Sequence, residues 1–272
     1  MTNLEFNKLS TFILTNYGIK LPLTKKTMLE GRLQKRLRAL KFVSFKEYCD
    51  YVFSAEGQQM EIMHMIDVVT TNKTDFFREA VHFDFLSNNI LPKYCNSNFS
   101  SKPFKIWSAG CATGEEPYTL AMVLSEFSEK YAAFDFHIFA TDISSRALNA
   151  AVTAVYTKEK VSPVPLSLKK KYLLKSKDEE KKTVRIIPGL RTKVNFKRFN
   201  FLDSHQTFTQ NFDVIFCRNV LIYFDRPTQE KVILSLCSKL EPGGYLFLGH
   251  SESISNMNLP LVQIQPTTFK KI

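Results

Sequence analysis

The chain has 272 residues, 44% hydrophobic and 23% charged, which excludes wholesale disorder and a fibrous repeat and is enough for one large domain or two, each with a substantial core. The formal charge of +11 is concentrated in two segments: residues 1–50 hold ten Lys/Arg against four Asp/Glu, and residues 157–198 hold fourteen against four. Such a field favours an acidic partner, whether nucleic acid, an anionic membrane surface or an acidic protein face, and charge alone does not choose among them.

From about residue 3 to residue 70 the apolar spacing is helical, with Pro22 the only proline, and predicts an all-helical N-terminal domain over 1–70. Between Thr24 and Lys41, Met28, Leu29, Leu33, Leu37 and Leu40 recur at three and four residues, as one buried face requires. At about 100° per residue, Lys25, Arg32, Lys35 and Arg36 gather on another face. This basic stripe is either a solvated face or a docking surface for an acidic helix. Residues 71–102 read as a linker that also contacts the site. After Lys102-Pro103 short Ile/Val/Phe-rich runs alternate with helical stretches, the pattern of βαβ units, with strands expected at 104–109, 136–141, 194–198, 212–217 and 244–249. Thr183–Ile187 and Val194–Phe196 flank Pro188-Gly189 and are expected to pair, as a small β excursion inserted at about 175–197 of an α/β domain over 103–272.

The strongest local signal is Ile106-Trp107-Ser108-Ala109-Gly110-Cys111-Ala112-Thr113-Gly114-Glu115-Glu116-Pro117, a strand entering a helix through a turn of small residues. Gly110 and Gly114 allow close approach of a ligand to backbone, and Pro117 suits the first turn of a helix. The spacing is GxxxG, not the GxGxxG of dinucleotide folds. Asp142, closing Phe139-Ala140-Thr141-Asp142, is placed to accept both hydroxyls of a ribose. Glu115 and Glu116 occupy the helix N-terminus where a pyrophosphate would sit, and so argue against one. They suit a cofactor bearing an ammonium and a sulfonium, as S-adenosylmethionine does. A dehydrogenase ranks lower, although Tyr156-Thr157-Lys158-Glu159-Lys160 matches a short YxxxK pattern. That match falls in a Lys-rich region, too early for a catalytic helix after the fourth strand.

Five widely spaced cysteines, Cys49, Cys95, Cys111, Cys217 and Cys237, without a CxxC or Cys/His cluster, suggest a reduced, cytoplasmic protein. No apolar run approaches the roughly 18 residues of a membrane span, and Met1–Glu5 lacks a signal pattern, so neither membrane insertion nor export is expected. His64, His82, His137 and His205 have no metal-ligand spacing, His250 reads as structural, and no metal is expected.

Three further blocks, Thr70–Glu79 (TTNKTDFFRE), Phe212–Phe224 (FDVIFCRNVLIYF) and Gly243–Glu252 (GGYLFLGHSE), together with Ser108–Tyr118, resemble the signature blocks of the CheR-type chemoreceptor protein-glutamate methyltransferases, in the same order and over nearly the whole chain. The resemblance implies a Rossmann-like α/β methyltransferase sheet with a small inserted β-subdomain behind the helical domain. It also implies transfer of a methyl group from S-adenosylmethionine to receptor glutamates, leaving S-adenosylhomocysteine. Asn72, Thr74 and Arg78 match positions at the cofactor's methionine end, Glu116 rather than Glu115 the acid that meets its amino group, and Asp142 the ribose ligand. Gly110 lies in the cofactor loop, Asn200 and Phe201 match the pair flanking the adenine, and Arg218 and Asn219 sit beside the cofactor. Arg78 and Tyr223 match residues that place the substrate carboxylate. The partner implied is the cytoplasmic helical bundle of a chemoreceptor, docked on Arg32, Lys35 and Arg36 by a monomeric enzyme. The competing readings are a nucleic-acid methyltransferase, which the charge suggests but a strand ending in Arg218-Asn219 does not, and a non-catalytic scaffold that senses the cofactor.

Overall fold

The helical spacing of the first 70 residues resolves, in a computed structural model that describes residues 1–97, 102–178, 180–203 and 208–272, into five α-helices and a 3-10 turn at Leu23–Lys25. The α-helices are α1 (Asn3–Tyr17), α2 (Lys26–Leu40), α3 (Phe45–Val52), α4 (Ala55–Met60) and α5 (Ile62–Val69). Thr2 and Glu5 form a capping box that starts α1, and Ser44 and Ser54 cap α3 and α4 through their hydroxyls. Leu29, Leu33 and Leu37 of α2 are buried one turn apart, packed with Phe6, Leu9, Ile13 and Ile66 in a core belonging to this region. A helical run then leads through α6 (Val81–Phe85), a π-type turn at Leu86–Ile90 and α7 (Leu91–Ser97).

The rest alternates strand and helix: β1 (Phe104–Ala109), α8 (Glu115–Lys130), β2 (Phe136–Asp142), α9 (Ser145–Thr153), β3 (Val155–Thr157), α10 (Leu166–Tyr172), β4 (Leu173–Lys175), β5 (Thr183–Ile186), α11 (Pro188–Arg191), β6 (Val194–Arg198), β7 (Phe212–Cys217), α12 (Arg226–Lys239), β8 (Leu240–Leu248), β9 (Leu261–Gln265) and β10 (Thr268–Lys271). The large sheet runs β6-β2-β1-β7-β8-β10-β9. Its first five strands pair in parallel, while β10 pairs antiparallel with both β8 and β9. One core on each face covers the central strands, which explains why β1 and β7 read as almost unbroken apolar runs. The chain builds outward from β1 through β2 to β6, then returns to the other side of β1 with β7. That reversal opens a crevice at the carboxyl ends of β1 and β7, where doubly wound sheets bind ligands.

The β excursion differs from the sequence expectation. β5 pairs with β3 and β4 in a separate three-stranded antiparallel sheet drawn from 155–186, whereas Val194 pairs with Ile138 at the edge of the large sheet. Pro188 is the reason: it opens a helical turn rather than a hairpin, so the chain leaves β5 without reversing onto it. The expected insertion at 175–197 is thus shifted toward the N-terminus, its last strand being part of the main sheet. The hairpin of β9 and β10 was not expected at all. β9 lies at the sheet edge with Val262, Gln263 and Ile264 all exposed, and so carries no alternating pattern.

Candidate active site

A cavity of about 370 Å³ occupies the crevice at the carboxyl ends of the parallel strands, within the range usual for small-molecule sites. Gly110, Glu116 and Asp142, from the first two βα turns, line it, as do Asn200 and Phe201 after β6, Arg218, Asn219 and Tyr223 after β7, and Asn72, Thr74 and Arg78 from the segment after α5. These eleven residues, scattered over 152 positions of sequence, share one cavity.

The backbone of the first turn is shaped for close approach. Gly110 and Gly114 have φ of 93° and 97°, in the left-handed region. A Cβ at Gly110 would come within 2.3 Å of Val220 Cγ2, and one at Gly114 within 2.8 Å of Ala151 Cβ. Asp142 is 9% exposed; its Oδ2 accepts the Ala112 N–H at 2.8 Å and its Oδ1 the Ser144 N–H at 2.9 Å. Burial raises the Asp142 carboxyl above its ordinary range, and these N–H groups oppose the shift. Ser144 is in turn tied to the helical domain, its hydroxyl donating to Asp67 Oδ1 at 2.8 Å.

The two glutamates divide. Glu116 lines the cavity, with Oε1 accepting the Ser108 hydroxyl and Oε2 the Arg218 Nε–H, both at 2.7 Å. Glu115 turns the other way, toward the Thr113 hydroxyl and Lys160, and burial raises its carboxyl. The Arg218 side chain, 2% exposed, also donates to the Arg78 carbonyl at 2.7 Å and lies over the rings of Phe83 and Phe216. It therefore braces Glu116 against the backbone of the Arg78 loop.

His82 stands behind this pair. Burial, with the Arg218 guanidinium second, lowers its imidazole to about 4, so it is neutral at physiological pH. The partners assign the tautomer: Nδ1 accepts from Arg218 at 3.1 Å, and Nε2 donates to Thr267 Oγ1 at 2.9 Å. Glu79, His82 and His250 bring ligating atoms within 4.8 Å of one another, a spacing that suits a metal. The guanidinium of Arg218, 3.5 Å from Glu79 Oε2, already supplies a fixed cation to this group. His205, the remaining histidine of the sequence reading besides His64 and His137, lies outside the described residues.

Three features escaped the sequence reading. The helical domain walls the cavity with Tyr17, Lys20 and Met28, and the Lys20 N–H donates to the Tyr223 carbonyl at 2.9 Å. Asn200 Nδ2 donates to the Asn16 carbonyl at 2.9 Å, joining the same two regions. Glu252, buried, accepts the N–H groups of Gly249 at 2.6 Å, Leu221 at 2.7 Å and Asn219 at 2.9 Å, so one carboxylate orients the turn that carries Asn219 and Tyr223. Its sequence signal was its place in the block Gly243–Glu252.

Two of the four residues of the basic stripe, Arg32 and Arg36, are used internally, whereas Lys25 and Lys35 are exposed. Arg32 lines the cavity and donates to the carbonyls of Val69 and Thr70 and to Thr71 Oγ1, latching α2 to the segment that follows α5. Arg36 grips Glu61, whose carboxylate is 1% exposed, through two bonds of 2.8 and 2.7 Å. Of Arg32, Lys35 and Arg36, only Lys35 is exposed. Periodicity located the face but not the acid, which comes from the start of another helix. Arg36→Ala is expected to lower stability by about 3–5 kcal/mol in a urea melt, because it strands a buried charge, whereas Lys35→Glu should leave the melt unchanged. Equal melts for the two variants would contradict this division.

Residues 4–70 match the family description "CheR methyltransferase, all-alpha domain", and residues 72–269 match "CheR methyltransferase, SAM binding domain". The chain is 40% identical over 274 aligned positions to a chemotaxis protein methyltransferase of Borreliella burgdorferi, covering 100% of this chain and 95% of the relative. It is 36% identical over 238 positions to chemotaxis protein methyltransferase 2 of Pseudomonas aeruginosa, covering 87% and 81%, and 34% identical over 257 positions to the chemotaxis protein methyltransferase of Escherichia coli, covering 94% and 87%.

Proposed function

We propose, since this chain belongs to the CheR methyltransferase family, that it transfers the methyl group of S-adenosylmethionine to glutamate side chains of chemoreceptors, giving methyl esters. The observation that carries the reading is the meeting of two buried carboxylates, Glu116 and Asp142, with Arg78 and Tyr223 around one cavity. The residues fit the cofactor. Glu116, on the wall, is the acid for its ammonium, and Asp142 retains lone pairs for the ribose hydroxyls. Asn200 and Phe201 flank the adenine, while Asn72, Thr74 and Asn219 serve the methionine end. When bound, S-adenosylmethionine supplies an electrophilic methyl group on a cationic sulfur.

The acceptor carboxylate, with an ordinary pKa near 4.3, is ionised at neutral pH, so the chain needs no general base. Its task is positioning and exclusion of water. Arg78 holds one carboxylate oxygen by a charge-assisted bond and Tyr223 the other, with Arg218 acting on both Glu116 and the Arg78 backbone as a positioning residue. The helical domain closes the wall beside Tyr223. The enzyme works as a monomer in the cytoplasm on the receptor's helical bundle, with Lys35, an exposed cation of α2, meeting acidic receptor surface; nucleic acid is not a substrate. No helix among the described residues is long and apolar enough to cross a membrane.

Incubation of purified protein with methyl-labelled cofactor and receptor cytoplasmic fragments, followed by mass spectrometry, tests this. Base-labile methyl esters on receptor glutamates are expected. Normal cofactor binding with no labelled glutamate defeats the substrate assignment, and label in RNA or DNA redirects it.

A further inference from the structure

Tyr156 and Lys160, the residues that matched the YxxxK pattern, each reach a loop of the active-site cavity. Both come from the start of the small sheet, where β3 forms an edge paired only with β5. Tyr156 is buried and donates its hydroxyl to the Thr113 carbonyl at 2.8 Å; a Cβ at Gly114 would lie 2.9 Å from the Tyr156 hydroxyl oxygen. The Tyr156 ring meets Phe76 edge-on, with centroids 5.0 Å apart. Lys160 Nζ donates to the Thr74 carbonyl and, at 3.0 Å, to Asp75 Oδ1, and stands 3.5 Å from Glu115 Oε1. That Glu115 oxygen is buried and has no hydrogen-bond donor among the described residues, so the ammonium is the charge that compensates it. Two hydrogen-bond acceptors and one ion-paired carboxylate oxygen thus surround the group, an arrangement suited to an ammonium rather than a planar guanidinium.

Tyr156 captures main chain between Ala112 and Gly114, and Lys160 captures the Thr74 carbonyl in the segment that leads to Arg78. We propose that both are positioning residues for methyl transfer with separate duties: Tyr156 fixes the cofactor loop 110–114, and Lys160 fixes the loop 72–78 that presents Arg78. The division rests on the receptor-methylation reading for its kinetic arm alone; the binding and exchange arms need only that the cavity binds S-adenosylhomocysteine.

The test compares Lys160→Met with Tyr156→Phe. For Lys160→Met, kcat on receptor fragments is expected to fall at least about tenfold, with KM and the Kd for S-adenosylhomocysteine within about threefold of wild type. Hydrogen exchange at 72–78 in the product-bound protein should quicken, while exchange at 110–114 stays unchanged. For Tyr156→Phe the pattern reverses: Kd rises about five- to tenfold, and kcat at saturating cofactor stays within about threefold. Because Lys160→Met leaves Glu115 uncompensated, the double variant Lys160→Met/Glu115→Gln is measured too. It should regain thermal stability and keep the kcat defect. Wild-type kcat and exchange in Lys160→Met, equal shifts of kcat and Kd in both variants, or recovery of kcat in the double variant overturns the proposal. If the wild type methylates no receptor, the functional reading fails, and the exchange contrast between the two loops still decides this one.

Discussion

Replacing Arg78 with alanine is expected to lower kcat for receptor methylation about 10²- to 10³-fold while leaving S-adenosylhomocysteine affinity within about threefold. The reason lies in how the side chain is presented. Phe77 and Glu79, on either side, have φ of 54° and 56°, a left-handed backbone that residues of this size seldom adopt. This bend is held by bonds from other side chains to its main chain, not by the Arg78 side chain. The Phe77 N–H donates to Thr119 Oγ1 at 3.2 Å, and the Arg78 carbonyl accepts from Arg218 at 2.7 Å. The guanidinium itself contributes a 3.2 Å bond to the exposed Lys73 carbonyl and otherwise faces the cavity. Truncation should therefore leave the loop in place and remove the group that fixes the acceptor carboxylate. Arg78→Lys keeps the charge but loses the planar fork, and should fall between the two. Initial rates of base-labile methyl incorporation, set beside calorimetric binding of the product, measure both quantities. Turnover of Arg78→Ala within about threefold of wild type would mean that the carboxylate is placed by other groups.

How much of this was legible in the sequence depended on how local each signal was. The strands at 104–109 and 212–217 could be read to their ends because a sheet covered on both faces makes nearly every position apolar. Gly110, Gly114 and Asp142 were legible because a βα turn and a strand end are themselves short-range features. The division between Glu115 and Glu116 was not, since it depends on Arg218 more than a hundred residues away and on Lys160 from the small sheet. Arg36 shows the same limit: a helical wheel gives its face correctly but carries no information about Glu61. Glu252, Asp67 and Lys160 act on the backbone or side chains of other segments, and contacts of that kind leave no periodicity. The C-terminal hairpin was lost for the opposite reason, as an exposed edge strand needs no apolar alternation.

Asp142→Ala is expected to weaken S-adenosylhomocysteine binding by about two orders of magnitude or more, and Asp142→Asn by nearly as much. The carboxylate does two things at once. It offers acceptors to the ribose, and it holds the N–H groups of Ala112 and Ser144 from the two turns that bound the cavity. Alanine abandons both buried donors, each at about 1–3 kcal/mol, and frees a turn in which Ala112 has φ of 47°. Asparagine is no mild substitute, because its NH2 must point at one of the two N–H groups and so sets donor against donor. The same geometry gives a pH dependence. Burial raises the free enzyme's Asp142 carboxyl above its ordinary range, while ribose hydroxyls donate to the ionised form and favour it in the complex. Binding therefore expels a proton whenever the free carboxyl is protonated. Affinity should be flat above that raised pKa and fall as pH drops through it, in wild type but not in Asp142→Asn. Calorimetry of product binding in buffers of different ionisation enthalpy would detect the released proton, and a pH slope retained by Asp142→Asn would assign it to another group.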